Sequence, residues 1–89
     1  MGLDELRARL DAIDDQMLIL LSERALVIVQ VAEFKRQHNM PTHIPHREAA
    51  IIERLCMANP GPLKGEAIER ISRTIIEEMR KFEEERATS

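Results

Sequence analysis

The stretch "LLSERALVIVQVAEFK", Leu20 to Lys35, decides the fold class because its apolar residues recur at helical spacing. Such a seam is typical of a helix that packs on other helices. The exception on the seam is Arg24, whose guanidinium stays charged and is costly to bury without an anion beside it. Either a carboxylate of the protein pairs with Arg24, or the side chain is available to a ligand. Steps of three and four residues reach ten positions, nine of them apolar: Leu3, Leu6, Leu10, Ile13, Met17, Leu20, Arg24, Val27, Val31 and Phe34.

This periodicity predicts a first helix from about Leu3 to His38. A helix of about 36 residues is a rod of roughly 54 Å. A compact chain of 89 residues has a radius of gyration of only about 12 Å. The helix must therefore project from the rest of the chain. Contact with a second copy of the chain is the simplest way to bury the apolar residues of its far half.

Two proline-containing segments interrupt the helical pattern. The segment "NMPTHIPHRE" precedes a second helix from about Pro45 to Ala58, in which proline suits the first turn. The segment "NPGPLKG" precedes a third helix from about Glu66 to Glu85. The sequence predicts an all-α, three-helix chain with one long N-terminal helix, and residues 1–89 are expected to form one domain.

Composition excludes several classes of protein. The formal net charge is −3, which gives no basic footprint for nucleic acid, and no apolar run approaches the length of a membrane span. The lone Cys56 and the absence of a signal-peptide pattern lead us to expect a cytoplasmic protein. The histidines His38, His43 and His46 lie near one loop, but no carboxylate or cysteine stands at ligand spacing. We expect no metal and no cofactor.

Charged residues occupy positions where a helix would face the core. Arg24 and Lys35 are eleven positions apart, which returns to within about 20° of the same helix face. Each charge alone has an ordinary explanation, because a helical arginine often snorkels or pairs and a charged helix face is often solvated. On helix three, Glu83 follows Ile76 and Met79 at the same kind of spacing, and Arg47 and Glu48 lie in the first turn of helix two.

The order of these residues closely resembles that of the all-helical chorismate mutases. The segment "NPGPLKGEAIERI" is also typical of the third helix of the type fused to prephenate dehydratase. The resemblance spans essentially the whole chain. It is carried by Arg7, "LLSER" ending at Arg24, Lys35, "PHRE" with Arg47 and Glu48, and "IIEEMRKFE" ending at Glu83.

The resemblance implies an intertwined homodimer that converts chorismate to prephenate in aromatic amino-acid biosynthesis, without metal or cofactor. Each of two buried active sites would take an arginine from the other chain. Helix geometry agrees, because Arg7 and Arg24 are 17 positions apart and one straight helix separates them by about 25 Å. The two side chains cannot hold one small molecule from the same helix.

The resemblance implies that four residues bind the substrate. Arg7 of the partner subunit and Arg24 should bind the two carboxylates, since planar guanidinium groups suit bidentate contacts. Arg47 should add positive charge, and Glu48 should accept a hydrogen bond from the substrate hydroxyl.

Lys35 and Glu83 would act at the ether oxygen, where negative charge grows during the rearrangement. Lys35 should donate to that oxygen, and its charge is worth more in a dry site. A carboxylate would repel the oxygen, so Glu83 must be protonated. Burial among Ile76, Met79 and Phe82 favours the neutral carboxyl.

Two positions depart from the family pattern. Ile44 stands where the loop commonly has aspartate, which removes a polar contact near the substrate ring. Met79 stands where serine or cysteine is frequent and narrows the expected pocket.

Two alternative functions remain open. An isochorismate pyruvate lyase uses the same fold, and "FKRQHNMP" with Ile44 and Pro45 resembles its loop faintly. A non-catalytic helical dimerisation module would need carboxylates on the seam to pair with the cations. The acidic residues of helix one largely miss the seam, with Asp14 as the exception, which disfavours that module.

Overall fold

The computed structural model describes the backbone of residues 2–88 and the side chains of residues 2–86. Over this range the chain forms three α-helices, α1 (Leu3–Gln37), α2 (Pro45–Ala58) and α3 (Gly65–Thr88). The predicted all-α class is confirmed, and the predicted bounds of the first two helices hold to within one residue. The third helix continues past the predicted end at Glu85, because no glycine or proline interrupts it.

The first helix gives the molecule its length. It contains 35 residues, or about 52 Å at 1.5 Å per residue, and the whole chain measures 55 × 27 × 15 Å. The radius of gyration is 16.1 Å, against the roughly 12 Å expected of a compact chain of this size. The predicted projecting rod is present.

A left-handed residue ends α1 and turns the chain back over the helix terminus. Asn39 has φ +54°, a conformation that asparagine tolerates better than most residues. The backbone N–H of Met40 donates to the Lys35 carbonyl at 2.8 Å, and that of Asn39 donates to the Arg36 carbonyl at 3.4 Å. This is the Schellman pattern. It fixes residues 38–44 beside the last turn of α1.

The core of the single chain is thin. Among the described side chains, Ile52 and Ile76 are the buried apolar ones, and α1 contributes none. The helix α3 packs against both α1 and α2. The helical spacing of Ile68, Ile71, Ile75, Met79 and Phe82 predicts an inward-facing stripe on α3. Of these residues, Ile71 is 49% exposed in the isolated chain, so the prediction for Ile71 does not hold within one chain.

Apolar side chains surround the middle of α1. The consecutive residues Leu18, Ile19, Leu20 and Leu21 point in different directions around a helix, and each is at least 36% exposed. A helix that is apolar on all sides is suited to burial on all sides. In the described part of the chain, no helix is both long enough and apolar enough to cross a membrane.

Candidate active site

A cavity of about 390 Å³ lies where the three helices and the 38–44 loop meet. Its apolar wall includes Val27, Ile28 and Val31 of α1, Ile51 of α2 and Ile76 of α3. The structure brings five of the six predicted site residues to this cavity: Arg24, Lys35, Arg47, Glu48 and Glu83.

Arg24 lies half-buried in the cavity wall with an unsatisfied donor. Its Nη1 atom is buried and has no hydrogen-bond partner among the described residues. Burial lowers the pKa of the Arg24 guanidinium from its usual value, and the positive charge of Arg47 lowers this pKa further. A buried donor without an acceptor costs free energy. Of the two explanations for Arg24, the structure therefore favours the one in which a ligand supplies the anion.

Lys35 and Glu83 form an ion pair deep in the cavity. Lys35 Nζ lies 3.1 Å from Glu83 Oε2 and 3.4 Å from Oε1, and the two side chains are 15% and 6% exposed. The same Nζ donates to the Thr42 carbonyl at 2.8 Å. The returning loop therefore fixes the ammonium group. The sequence indicated the burial of Glu83 but not its direct contact with Lys35.

Glu48 is held by an arginine that sequence reasoning did not select. Arg80 Nη1 donates to Glu48 Oε1 at 2.9 Å, and Arg80 also lines the cavity. Steps of four and three residues connect Ile76, Arg80 and Glu83 along α3. The same spacing rule that selected Arg24 could therefore have found Arg80.

The start of α2 presents Arg47 to the cavity. Pro45 occupies the first helical turn, and the Arg47 N–H donates to the Ile44 carbonyl at 3.1 Å. The Arg47 residue is exposed in the isolated chain. The two departures from the family pattern, Ile44 and Met79, both lie in the cavity wall.

Arg7 is the predicted residue that the single chain does not bring to the cavity. It is exposed and lies near the start of α1, and it is not among the residues that line the cavity. Because α1 is one continuous helix, the Cα atoms of Arg7 and Arg24 are about 25 Å apart.

The charges in the cavity suit a dianion. Both carboxylates have a cation partner, Glu83 with Lys35 and Glu48 with Arg80. Two further cations, Arg24 and Arg47, line the same cavity. Two positive charges therefore remain unbalanced among the described lining residues. No group of three or more His, Cys, Asp or Glu side chains in the described range is placed to hold a metal ion.

Several named proteins are similar to this chain in sequence or in fold. The bifunctional chorismate mutase/prephenate dehydratase of Aquifex aeolicus (strain VF5) is 40% identical over 78 residues, which cover 83% of this chain and 22% of that protein. The 4-amino-4-deoxychorismate mutase of Streptomyces pristinaespiralis is 43% identical over 49 residues, which cover 55% of this chain and 38% of that protein. The chain thus spans about a fifth of the length of the bifunctional relative.

A solved structure matches over almost the full length of both chains. Chorismate mutase (form II) from Thermus thermophilus has a TM-score of 0.89 at 28% identity, with 92% of this chain and 93% of that chain covered. The family model described as chorismate mutase type II matches residues 6–84, a range that contains all six predicted site residues. The resemblance in the sequence is confirmed, and the chain belongs to the chorismate mutase type II family.

Proposed function

We propose that the protein rearranges chorismate to prephenate, a step in aromatic amino-acid biosynthesis. The observation that carries the proposal is the cavity in which Arg24 and Arg47 remain without a balancing carboxylate and Arg24 Nη1 is buried without a partner. Chorismate carries two carboxylates, so its charge matches the two positive charges that the cavity leaves unbalanced.

The rearrangement forms a carbon–carbon bond and breaks an ether bond within one molecule. A catalyst must hold the flexible substrate in its compact reactive shape and stabilise negative charge on the ether oxygen. The apolar wall excludes water and favours the compact shape. Arg24 binds one substrate carboxylate through its free Nη1, and Arg47 adds positive charge at the open side of the cavity.

Lys35 and Glu83 act at the ether oxygen. Lys35 Nζ is already oriented by the Thr42 carbonyl and by Glu83, so little reorganisation is needed when the oxygen arrives. The substrate replaces part of the contact between Lys35 and Glu83. Glu83 takes up one proton from solvent as the substrate binds, so that it donates to the oxygen instead of repelling it.

The site is completed by a second copy of the chain. We propose a homodimer in which the α1 helices lie antiparallel, so that Arg7 of the partner subunit reaches the cavity and binds the other carboxylate. The exposed apolar residues around the middle of α1 support this arrangement, as does the thin core of the isolated chain.

The decisive experiment is a spectrophotometric assay of chorismate loss with product identification. We expect the wild-type protein to form prephenate. Arg24→Ala should react at least about a thousandfold more slowly, since it loses a contact that holds the substrate in its reactive shape. Arg70→Ala removes an exposed arginine of α3 and should keep wild-type activity. Absence of chorismate turnover in a folded wild-type dimer would refute the proposal.

Two other substrates belong in the same assay. Salicylate and pyruvate from isochorismate would identify the protein as the lyase. A relative is named for 4-amino-4-deoxychorismate, so that compound is tested beside chorismate as the second candidate substrate.

A further inference from the structure

We propose that Arg80 makes this cavity selective for a substrate with a neutral hydroxyl over one with an ammonium group at the position that Glu48 contacts. The inference rests on the proposed function and adds the substrate preference. Arg80 acts through Glu48 and is a positioning residue, because the reacting atoms lie beside Lys35 and Glu83.

The contact between Arg80 and Glu48 is specific and sheltered. Arg80 Nη1 lies 2.9 Å from Glu48 Oε1, and the side chains are 25% and 21% exposed. The two residues come from different helices, α3 and α2, and both line the cavity. The ion pair therefore helps to fix the cavity wall as well as the carboxylate.

A second acceptor holds the same nitrogen. Arg80 Nη1 lies 2.9 Å from His43 Nε2. A guanidinium can only donate, so His43 Nε2 is the acceptor in this contact. His43 Nε2 lies 3.5 Å from Glu48 Oε1, and Arg80 Nε lies 4.0 Å from Glu84 Oε1. The side chain of Arg80 thus contacts His43, Glu48 and Glu84.

Glu48 keeps one oxygen for a ligand. Oε1 accepts the hydrogen bond from Arg80, and Oε2 takes no part in it. A substrate hydroxyl can donate to Oε2, and as a neutral group it is little affected by the guanidinium next to it. The carboxylate therefore serves as an acceptor whose charge Arg80 already balances.

An ammonium group at the same position meets a different electrostatic environment. The attraction of Glu48 is offset by the repulsion of Arg80, and this repulsion adds to that of Arg24 and Arg47 in the same cavity. Without Arg80, the free carboxylate would form a full ion pair with an ammonium group, and the preference would shift toward the amine.

The test compares chorismate with 4-amino-4-deoxychorismate, which has an amino group in place of the hydroxyl. The variant Arg80→Met removes the charge and keeps much of the length of the side chain. We expect the ratio of kcat/KM for the hydroxyl compound over the amino compound to fall by about tenfold or more, as loss of one partly buried charge a few ångströms away implies. Arg80→Lys keeps the charge and should keep most of the preference.

A matched control lies on the same helix. Arg73 contacts Glu69 Oε1 at 2.9 Å but does not line the cavity, so Arg73→Met should leave the ratio unchanged. If Arg80→Met lacks the helical circular dichroism of the wild type, Arg80→Gln serves as the neutral variant that can still donate to Glu48.

An unchanged ratio in a folded neutral variant, or an equal loss for both compounds, overturns the role of Arg80. Failure of the proposed function looks different, because the wild-type protein would then convert neither compound. In that case calorimetry measures the Kd of each compound for the wild type and for Arg80→Met. If the ratio of the two Kd values is the same in both proteins, the inference is again contradicted.

Discussion

At the scale of the residue, Arg24 places a half-buried guanidinium on an otherwise apolar helix seam. Its Nη1 is buried without a partner, and both burial and Arg47 lower the pKa of the guanidinium. Both effects disfavour the charged group. Replacing an uncompensated buried charge by an apolar side chain often stabilises a protein.

We therefore expect Arg24→Met to raise the unfolding free energy of the ligand-free protein by about 1 kcal/mol, while chorismate turnover is lost. Urea denaturation followed by circular dichroism measures the first effect. Arg70→Met, at an exposed position of α3, should change stability by less than about 0.5 kcal/mol. A clear loss of stability in Arg24→Met would mean that the guanidinium has a structural partner.

Glu83 should be responsible for a fall in kcat/KM at alkaline pH. The carboxyl group must carry a proton to donate to the ether oxygen, and it lies 3.1 Å from Lys35 Nζ. We expect wild-type kcat/KM to fall as pH rises, because the proposed role requires the protonated carboxyl group. In Glu83→Gln the side chain donates at every pH, so the profile should become flat on the alkaline side.

The pH profile needs a control for general effects of charge. Glu78→Gln removes an exposed carboxylate of the same helix, one that pairs with Lys81 on the surface, and should keep the wild-type profile. If Glu83→Gln and the wild type share one profile, Glu83 does not act as the donor.

At the scale of the elements, periodicity predicted the three helices because each has a continuous stripe, and chemical signals mark the end of α1 and the start of α2. Asn39 can adopt the left-handed conformation that ends α1, and Pro45 suits the first turn of α2. The end of α3 was misjudged because residues 86–88 contain no breaker. Spacing along one helix places residues on a face, but it does not say which residues of two helices meet. The pairing of Arg80 with Glu48 was missed for that reason.

The apolar seam of α1 can be tested by adding a charge to it. Leu20 is 62% exposed in the isolated chain, and burial of a leucine is worth about 1.5–3 kcal/mol. If a second copy covers the seam, Leu20→Lys should convert the dimer to a monomer, with loss of activity. Light scattering coupled to size-exclusion chromatography measures the change in mass.

Glu78→Lys adds the same side chain at an exposed position of α3. Glu78 does not belong to the seam of α1, so this variant should stay dimeric. A dimeric Leu20→Lys protein of wild-type stability would show that the seam is not the interface.

At the scale of the whole molecule, the sequence predicted more of the site than one chain can assemble. Five predicted residues line one cavity, while Arg7 remains about 25 Å away along α1. A distance of this size cannot be closed by side-chain motion. The resemblance implied that a partner subunit supplies Arg7, whereas the periodicity of one chain could indicate only that another surface must bury the seam of α1.

Sharing of the site between two chains predicts complementation between two inactive variants. Arg7→Ala and Arg24→Ala should each be inactive as homodimers, because every site lacks one carboxylate ligand. A heterodimer has one site with both arginines intact and one site with both removed. Random exchange of subunits makes half of the dimers heterodimers, so an equal mixture should recover about a quarter of wild-type activity. Mixtures are unfolded together, refolded and assayed for chorismate loss.

Arg24→Ala mixed with Lys35→Ala is the control, since Arg24 and Lys35 belong to the same cavity of one chain. In that heterodimer each site still lacks one of the two, and activity should not return. Equal recovery in both mixtures, or in neither, would contradict a site that takes Arg7 from the partner subunit.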